Sequence, residues 1–479
     1  MGYLERLETY RDEMIRTLGE SVSYPSVNAD AVRTKDGEVL PFGRGVQDAL
    51  VHMLAKGESL GFEAHNVDNY AGYVELKADD KYADSAKEFA IVGHLDVMPE
   101  GTGWDGDPFV MTEKDGYLYG RGTSDDKGPV VASMYALKAL KEEGAVFKSN
   151  VRVVFGLDEE TGSTSINYYT EHCGHPDMGF TPDGEFPVVN GEMGILVFDL
   201  AQKLSTGFAT DDLRLTKLQS GERHNAVPAD AKAVIAGDKK YFDAIADLAA
   251  AYARETGYTV RTKKQGASLV VETKGVAAHG AHPQLGLNAI SIMMDFLGRV
   301  SFANEELNDF IRFYNDHIGF DLHGDRIGCK FEDNPSGPLI FNVGVANINE
   351  ELATLTIGIR YPVTYTEDQV TGGIQSSLEN TSIGLVIRAG QGPVFMDVDT
   401  PMVQDMLGAY RDETGDNESG AMVIGGGTYA KSVNNILCFG GMFPGEEDTM
   451  HQANEKFCIE SFMKMARIYA RAIAKLCCE

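Results

Sequence analysis

Apolar residues recur along this chain at two different periods. In "MGYLERLETYRDEMIRTL", Leu4, Leu7, Met14 and Leu18 follow the three- and four-residue spacing of an amphipathic helix. Helical spacing returns near Val46 to Leu60 and in "KGPVVASMYALKALKEEG", which begins at Lys127. Between them, short continuous apolar runs at Phe89 and in "NVRVVFGL" read as buried strands. This alternation predicts an α/β layer whose sheet is mixed but largely parallel and flanked by helices. From about Glu192 the texture changes to longer strand-like stretches, among them "GILVFDLAQKL", "ASLVVETKGV" and "LATLTIGIRYPV", with helices such as "YFDAIADLAAAYARETG" between. The first texture returns near Gly392 and runs to the terminal helical pattern "EKFCIESFMKMARIYARAIAKL". We therefore expect residues 1–191 and 392–479 to form one α/β domain and residues 192–391 an α+β domain inserted into it. The insertion is roughly two hundred residues, the upper end of an ordinary domain and room for two small subdomains.

Composition narrows the classes. A chain of 479 residues exceeds what one core holds, and 43% apolar residues is ample for folded cores. Asp and Glu number 72 against 42 Lys and Arg, a formal charge of −30 that repels nucleic-acid backbones and anionic membranes. The charges of the first helix exclude the apolar core of a signal peptide, Arg6 stands where a myristoylation site needs Ser or Thr, and no run of eighteen apolar residues occurs. The six cysteines are scattered without C-x-x-C spacing, which points to a reducing cytoplasm and away from a cysteine zinc site.

Candidate chemistry sits where strands run out. "EFAIVGHLDVMPEGTGWDGDPF" ends an apolar run on His94 and Asp96, and residues two apart on a strand share a face. "LYGRGTSDDKGP" places Asp125 and Asp126 before a helix, "VVFGLDEETGS" ends on Asp158, Glu159 and Glu160, "MGFTPDGEFP" carries Asp183, and "GEEDTMHQANE" adds His451. Each acid alone reads as a helix cap. Delivered together at separate strand ends, imidazoles and carboxylates without thiolate suit zinc, or manganese or cobalt in similar geometry. Arg360, alone on an apolar strand, calls for an anionic partner such as a substrate carboxylate. "GGGTYAKS" offers the backbone around Gly427 and the Thr428 hydroxyl for the same purpose. Ala430 stands where a phosphate-binding loop requires glycine.

In this order, "GHLDVMP", "GWDGDPF", "YGRGTSDDKGP", "GLDEETGS" and "GVAAHGAHPQLGLNAI" resemble the zinc-dependent exopeptidase family of carboxypeptidase G, aminoacylase, succinyl-diaminopimelate desuccinylase and the carnosinase-like dipeptidases. "TPDGEFPV" and "GGGTYAKS" resemble its PepV-type dipeptidases, and the likeness runs over essentially the whole length. The resemblance implies two divalent ions, one held by His94 and Asp183, the other by Glu160 and His451, with Asp125 bridging. Asp126 is the rival bridge, but the family places its ligand two residues before the lysine and often has a cis peptide after it. Asp96 would accept the second ring N–H of His94, and Glu159 would be the general base. The inserted domain would act as a lid. On it, His279 would stabilise the oxyanion, with His282 as competitor, and Asn225 would lie near the peptide. The implied activity is hydrolysis of dipeptides or short peptides with a free N-terminus by a cytoplasmic monomer. The alternative is an N-acyl or N-succinyl amino acid deacylase of the same fold. An acid-rich site favours the cationic amine of a dipeptide. A metal-binding protein without turnover would have no need of Glu159 and His279.

Overall fold

Lys87–His94 is buried from Phe89 onward and lies inside a nine-stranded sheet in the computed structural model, which describes residues 1–479. Its neighbours Ser149–Gly156 and Met178–Thr181 run parallel to it, and Ile436–Cys438 extends the parallel set beyond Met178–Thr181. Strands covered on both faces read as unbroken apolar runs, which is why "FAIV" and "VRVVF" show no alternation. Antiparallel strands complete the flanks: Ala71–Leu76 and Glu63–Val67 beyond Ser149–Gly156, and Val189–Glu192 beyond Ile436–Cys438. The helix Lys127–Glu142 is buried along almost its whole length. It packs on the sheet, on Arg11–Val22 and on the terminal helix Ile459–Cys477. Because Ile459–Cys477 carries one of the largest apolar faces of this core, the end of the chain belongs with its beginning. The Asp125–Asp126 peptide is cis, the isomer that the resemblance implies.

By contacts, Met1–Gly191, Val394–Val423 and Gly427–Glu479 form one compact unit, and Glu192–Pro393 with Ile424–Gly426 form a second. The second unit is built on one eight-stranded sheet. Its first four strands in spatial order are Thr259–Gln265, Ser268–Lys274, Asp230–Ala236 and Arg214–Ser220; the other four are Ile340–Asn349, Leu352–Tyr361, Gly194–Lys203 and Gly384–Gln391. Every pairing in it is antiparallel. One apolar core, including Phe198, Ile235, Phe296 and Ile357, serves both halves. The length left room for two subdomains; the second unit instead has a single sheet, made of two four-stranded halves. They join where Lys217–Ser220 pairs with residues 346–349. No helix is long and apolar enough to cross a membrane.

Candidate metal centre

The first unit gathers its acids and imidazoles at the carboxyl ends of three adjacent parallel strands, where ligands collect in such sheets. His94 is the last residue of its strand. Its Nδ1 lies 2.9 Å from the Asp96 carbonyl oxygen, which can only accept, so Nδ1 carries the proton. Nε2 is thereby left facing Asp125 Oδ1 at 3.0 Å and Asp183 Oδ2 at 3.8 Å. Asp183 follows the neighbouring strand Met178–Thr181, and Glu159 and Glu160 follow Ser149–Gly156 on the other side. His451 approaches from the later loop, with Nε2 at 2.9 Å from Asp125 Oδ2 and 3.1 Å from Glu160 Oε2. Two donor sets result, His94 with Glu159 and Asp183, and Asp125 with Glu160 and His451, each with its ligand atoms within 4.8 Å of one another. Asp125 touches both sets, one carboxylate oxygen to each histidine.

One candidate, Asp96, departs from the sequence reading. The Asp96 carboxylate is 3.4 Å from His94 Nδ1, farther than its own backbone carbonyl. The strand stops at His94, so the period-two rule that would put both side chains on one face no longer holds at residue 96. The carboxylate instead accepts the backbone N–H groups of Glu159 at 3.1 Å and Glu160 at 3.2 Å, and the Asn28 amide at 2.9 Å. Asp126 turns away from the histidine rings and accepts the His94 backbone N–H at 3.1 Å.

The electrostatics favour a cation. Burial, and then the charges of Asp183, Asp125 and Asp96, push the Glu159 carboxyl well above the usual carboxylate range. Hydrogen bonds to Asp125 and Glu160 raise the His451 imidazole to about 10. Burial opposes protonation of His94, yet hydrogen bonds to Asp125 and Asp96 hold its imidazole well above its ordinary value. Asp125 and Glu160 form ion pairs only with these two imidazoles. The cluster thus demands positive charge, and its oxygen and nitrogen donors fit divalent ions. A third group, Glu63, His65 and Glu75, already has Lys77 on Glu63 and Arg152 on Glu75, both at 2.7 Å.

The second unit brings its own candidates together. The strand Ala226–Val227 pairs with Ala278–His279, and the Asn225 carbonyl accepts the Gly280 N–H at 2.8 Å. His279 Nδ1 accepts the Ala281 N–H at 3.2 Å, leaving Nε2–H as a donor. His282 is exposed beside it. Arg360 is buried and donates from Nε to the Gly425 carbonyl at 2.7 Å and from Nη1 to its neighbour Ile359 at 3.2 Å, with no carboxylate paired to it. Burial lowers its pKa to about 10. Gly427 and Thr428 fall in the first unit, where the Thr428 hydroxyl accepts the Ala430 N–H at 3.1 Å and Tyr429 packs edge-on to His94.

Two supporting residues escaped the sequence reading. Asn28, which holds Asp96, has no sequence signal of its own. Glu455 had one: it lies four residues after His451 in "HQANE", close enough to act on the same site.

Comparison with known proteins fits this geometry. Residues 90–475 match the family described as "Peptidase family M20/M25/M40". The chain belongs to this family. It is therefore a hydrolase of a metallopeptidase family. A Staphylococcus epidermidis protein named "Putative dipeptidase" is 34% identical over 485 residues, covering 99% of each chain. A Staphylococcus aureus relative of the same description, from strain USA300, is 33% identical with the same coverage. Among solved structures, human carnosine dipeptidase 1 shares the fold at TM-score 0.55 and 18% identity, over 99% of this chain and 98% of that one. The aminoacylhistidine dipeptidase of Vibrio alginolyticus does so at 0.57 and 14%, over 96% of each.

Proposed function

We propose that this M20-family protein is a cytoplasmic, two-metal dipeptidase that cleaves dipeptides or short peptides with a free N-terminus. The observation that carries this reading is the pair of donor sets joined through Asp125. Relatives named as dipeptidases support the choice of substrate, and six cysteines with no disulfide among them suit a reducing compartment.

His94 and Asp183 would hold one ion, Glu160 and His451 the other, and Asp125 would serve both. On these donors divalent ions, zinc first and manganese or cobalt in the same geometry, would supply Lewis acidity and make a water molecule easier to deprotonate. Glu159 takes that proton and returns it to the leaving amine, a role suited by the raised proton affinity of its carboxyl. Asp96 holds the Glu159 and Glu160 backbone in place. His279 offers its Nε2–H to the developing oxyanion, and Arg360 takes the substrate carboxylate that would complete its unpaired guanidinium. Asn225, Gly427 and Thr428 contact the peptide backbone.

The test is hydrolysis by chelator-treated protein after return of Zn²⁺, Mn²⁺ or Co²⁺, on free dipeptides, dipeptide amides and N-acylated amino acids. Metal-restored activity on free dipeptides is the expected result. Activity without any divalent ion would overturn the mechanism, and preference for N-acyl amino acids would make the protein a deacylase instead.

A further inference from the structure

Glu455 is almost completely buried, and its carboxylate is used mainly on one short segment. Oε1 accepts the backbone N–H groups of Gly122 at 3.1 Å and Ser124 at 3.0 Å, the Ser124 hydroxyl at 3.0 Å, and more distantly the Asp125 N–H at 3.3 Å. Oε2 accepts Gly122 N–H at 3.0 Å and Arg121 Nη1 at 2.9 Å, and the Glu455 carbonyl accepts Gly120 N–H at 3.0 Å. Most of the backbone N–H groups of residues 120–125, up to the bridging aspartate, thus end on one residue, while Arg121 N–H goes to the Pro108 carbonyl and Thr123 N–H to the Gly120 carbonyl.

That residue is also tied to His451. Only three residues lie between them, and two points fix the connection: Asn454 accepts the Asp105 N–H at 2.9 Å, and Lys456–Cys458 pairs with Tyr117–Tyr119. His451 and Asp125 meet at 2.9 Å. His94, Glu159 and Asp183, by contrast, stand at the ends of strands of the main sheet and need nothing from Glu455.

An ion pair with Arg121 alone would be a structural device of small net value, since the cost of burying two charges offsets their attraction. The direction of the hydrogen bonds says otherwise, because most of them end on backbone N–H groups leading to Asp125. We propose that Glu455 is a positioning residue that locks Asp125 and His451 into one rigid piece and thereby sets the affinity for the ion held by Glu160 and His451. This rests on the two-ion reading above. When Glu455 is altered, the ion bound to His94 and Asp183 keeps two sheet-anchored ligands, whereas the other ion keeps only Glu160. Loss should therefore fall on one ion.

Calorimetric titration of chelator-treated, full-length protein with Co²⁺, read also by its visible absorption, tests this. Wild type should take up two equivalents. Glu455→Gln, which keeps the shape but replaces one acceptor oxygen with donors, should bind the first equivalent within about threefold of wild type. The second should weaken by at least about tenfold, in the range usual for groups that support metal ligands. Ser124→Ala removes one hydroxyl donor to Glu455 without placing a new group in the core. It should shift the second equivalent the same way by a smaller factor, and it decides the matter if Glu455→Gln does not fold. Two equivalents bound as in wild type, with only the thermal midpoint lowered, would reduce Glu455 to a structural role and overturn the inference. Equal weakening of both equivalents would overturn it too. Fewer than two equivalents in wild type would sink the two-ion reading itself, and the inference with it.

Discussion

Glu159 and Glu160 are adjacent in sequence, yet Glu160 faces His451 at 3.1 Å while burial, and then the neighbouring carboxylates, push the proton affinity of Glu159 up. A group so placed is better used to carry a proton than to hold a cation. Glu159→Gln should therefore keep the metal content of wild type and lower kcat by roughly 10²–10⁴, the usual contribution of a general base. Metal analysis beside steady-state rates checks this, and loss of metal with turnover retained would reverse the assignment. Arg360 invites a different experiment, because its guanidinium is buried without an acid. Arg360→Ala should raise KM for free dipeptides more than it lowers kcat, and should leave the slow hydrolysis of dipeptide amides nearly unchanged. Equal loss on both substrates would show that Arg360 does not meet the carboxylate. The ligand types were legible because each ends an apolar run. The use of Asp96 was not, since its carboxylate takes N–H groups more than sixty residues away, a contact no local spacing encodes.

The elements that carry these residues hold together through contacts of their own, and one of them is sensitive to acid. The helix Arg44–Ser59 meets Arg11–Val22 through Lys56 and Glu20 at 2.8 Å, with His52 beside them, 3.9 Å from Glu20 and against the Tyr24 ring. Burial lowers the pKa of His52, and nearby Lys56 and Lys127 add to this while Glu20 opposes it. In the unfolded chain the same group takes a proton near 6.5. Between the lowered folded value and 6.5 the unfolded state therefore binds more protons. Stability is full above that window and is lost as pH falls through it. His52→Gln should show a smaller drop in thermal midpoint than wild type between pH 7.5 and 5.5, and parallel slopes would refute the assignment. Local pattern revealed such helices, and the unbroken apolar run "FAIV" revealed a covered strand. It could not show that Gly194–Lys203 lies between Leu352–Tyr361 and Gly384–Gln391, because pairing across roughly 150 to 200 residues leaves no periodic trace.

At the scale of the whole molecule, the second unit bears on how many chains make one active site. The resemblance implies that smaller members of the family use a single lid domain that also dimerises, with a lid histidine reaching the partner's metals. Here two four-stranded halves share one sheet and one core within a single chain, joined at an antiparallel seam between residues 217–220 and 346–349. An edge that could otherwise pair with a second copy is closed internally, and open strand edges are what invite such pairing. His279 lies in the short ribbon formed by Ala226–Val227 and Ala278–His279, and Arg360 on a strand of the second half of the sheet, so both substrate-facing candidates come from the second unit of one chain. We therefore expect a functional monomer whose site needs no residue from another chain. Mixing His279→Ala protein with Glu159→Gln protein, each inactive alone, distinguishes the cases. If each site is built from one chain the mixture stays inactive. If subunits share sites, mixed dimers regain one intact site, and up to roughly a quarter of wild-type activity returns under random pairing. Recovered activity would place the histidine in trans, and the closed seam would then stabilise the second unit without replacing a partner.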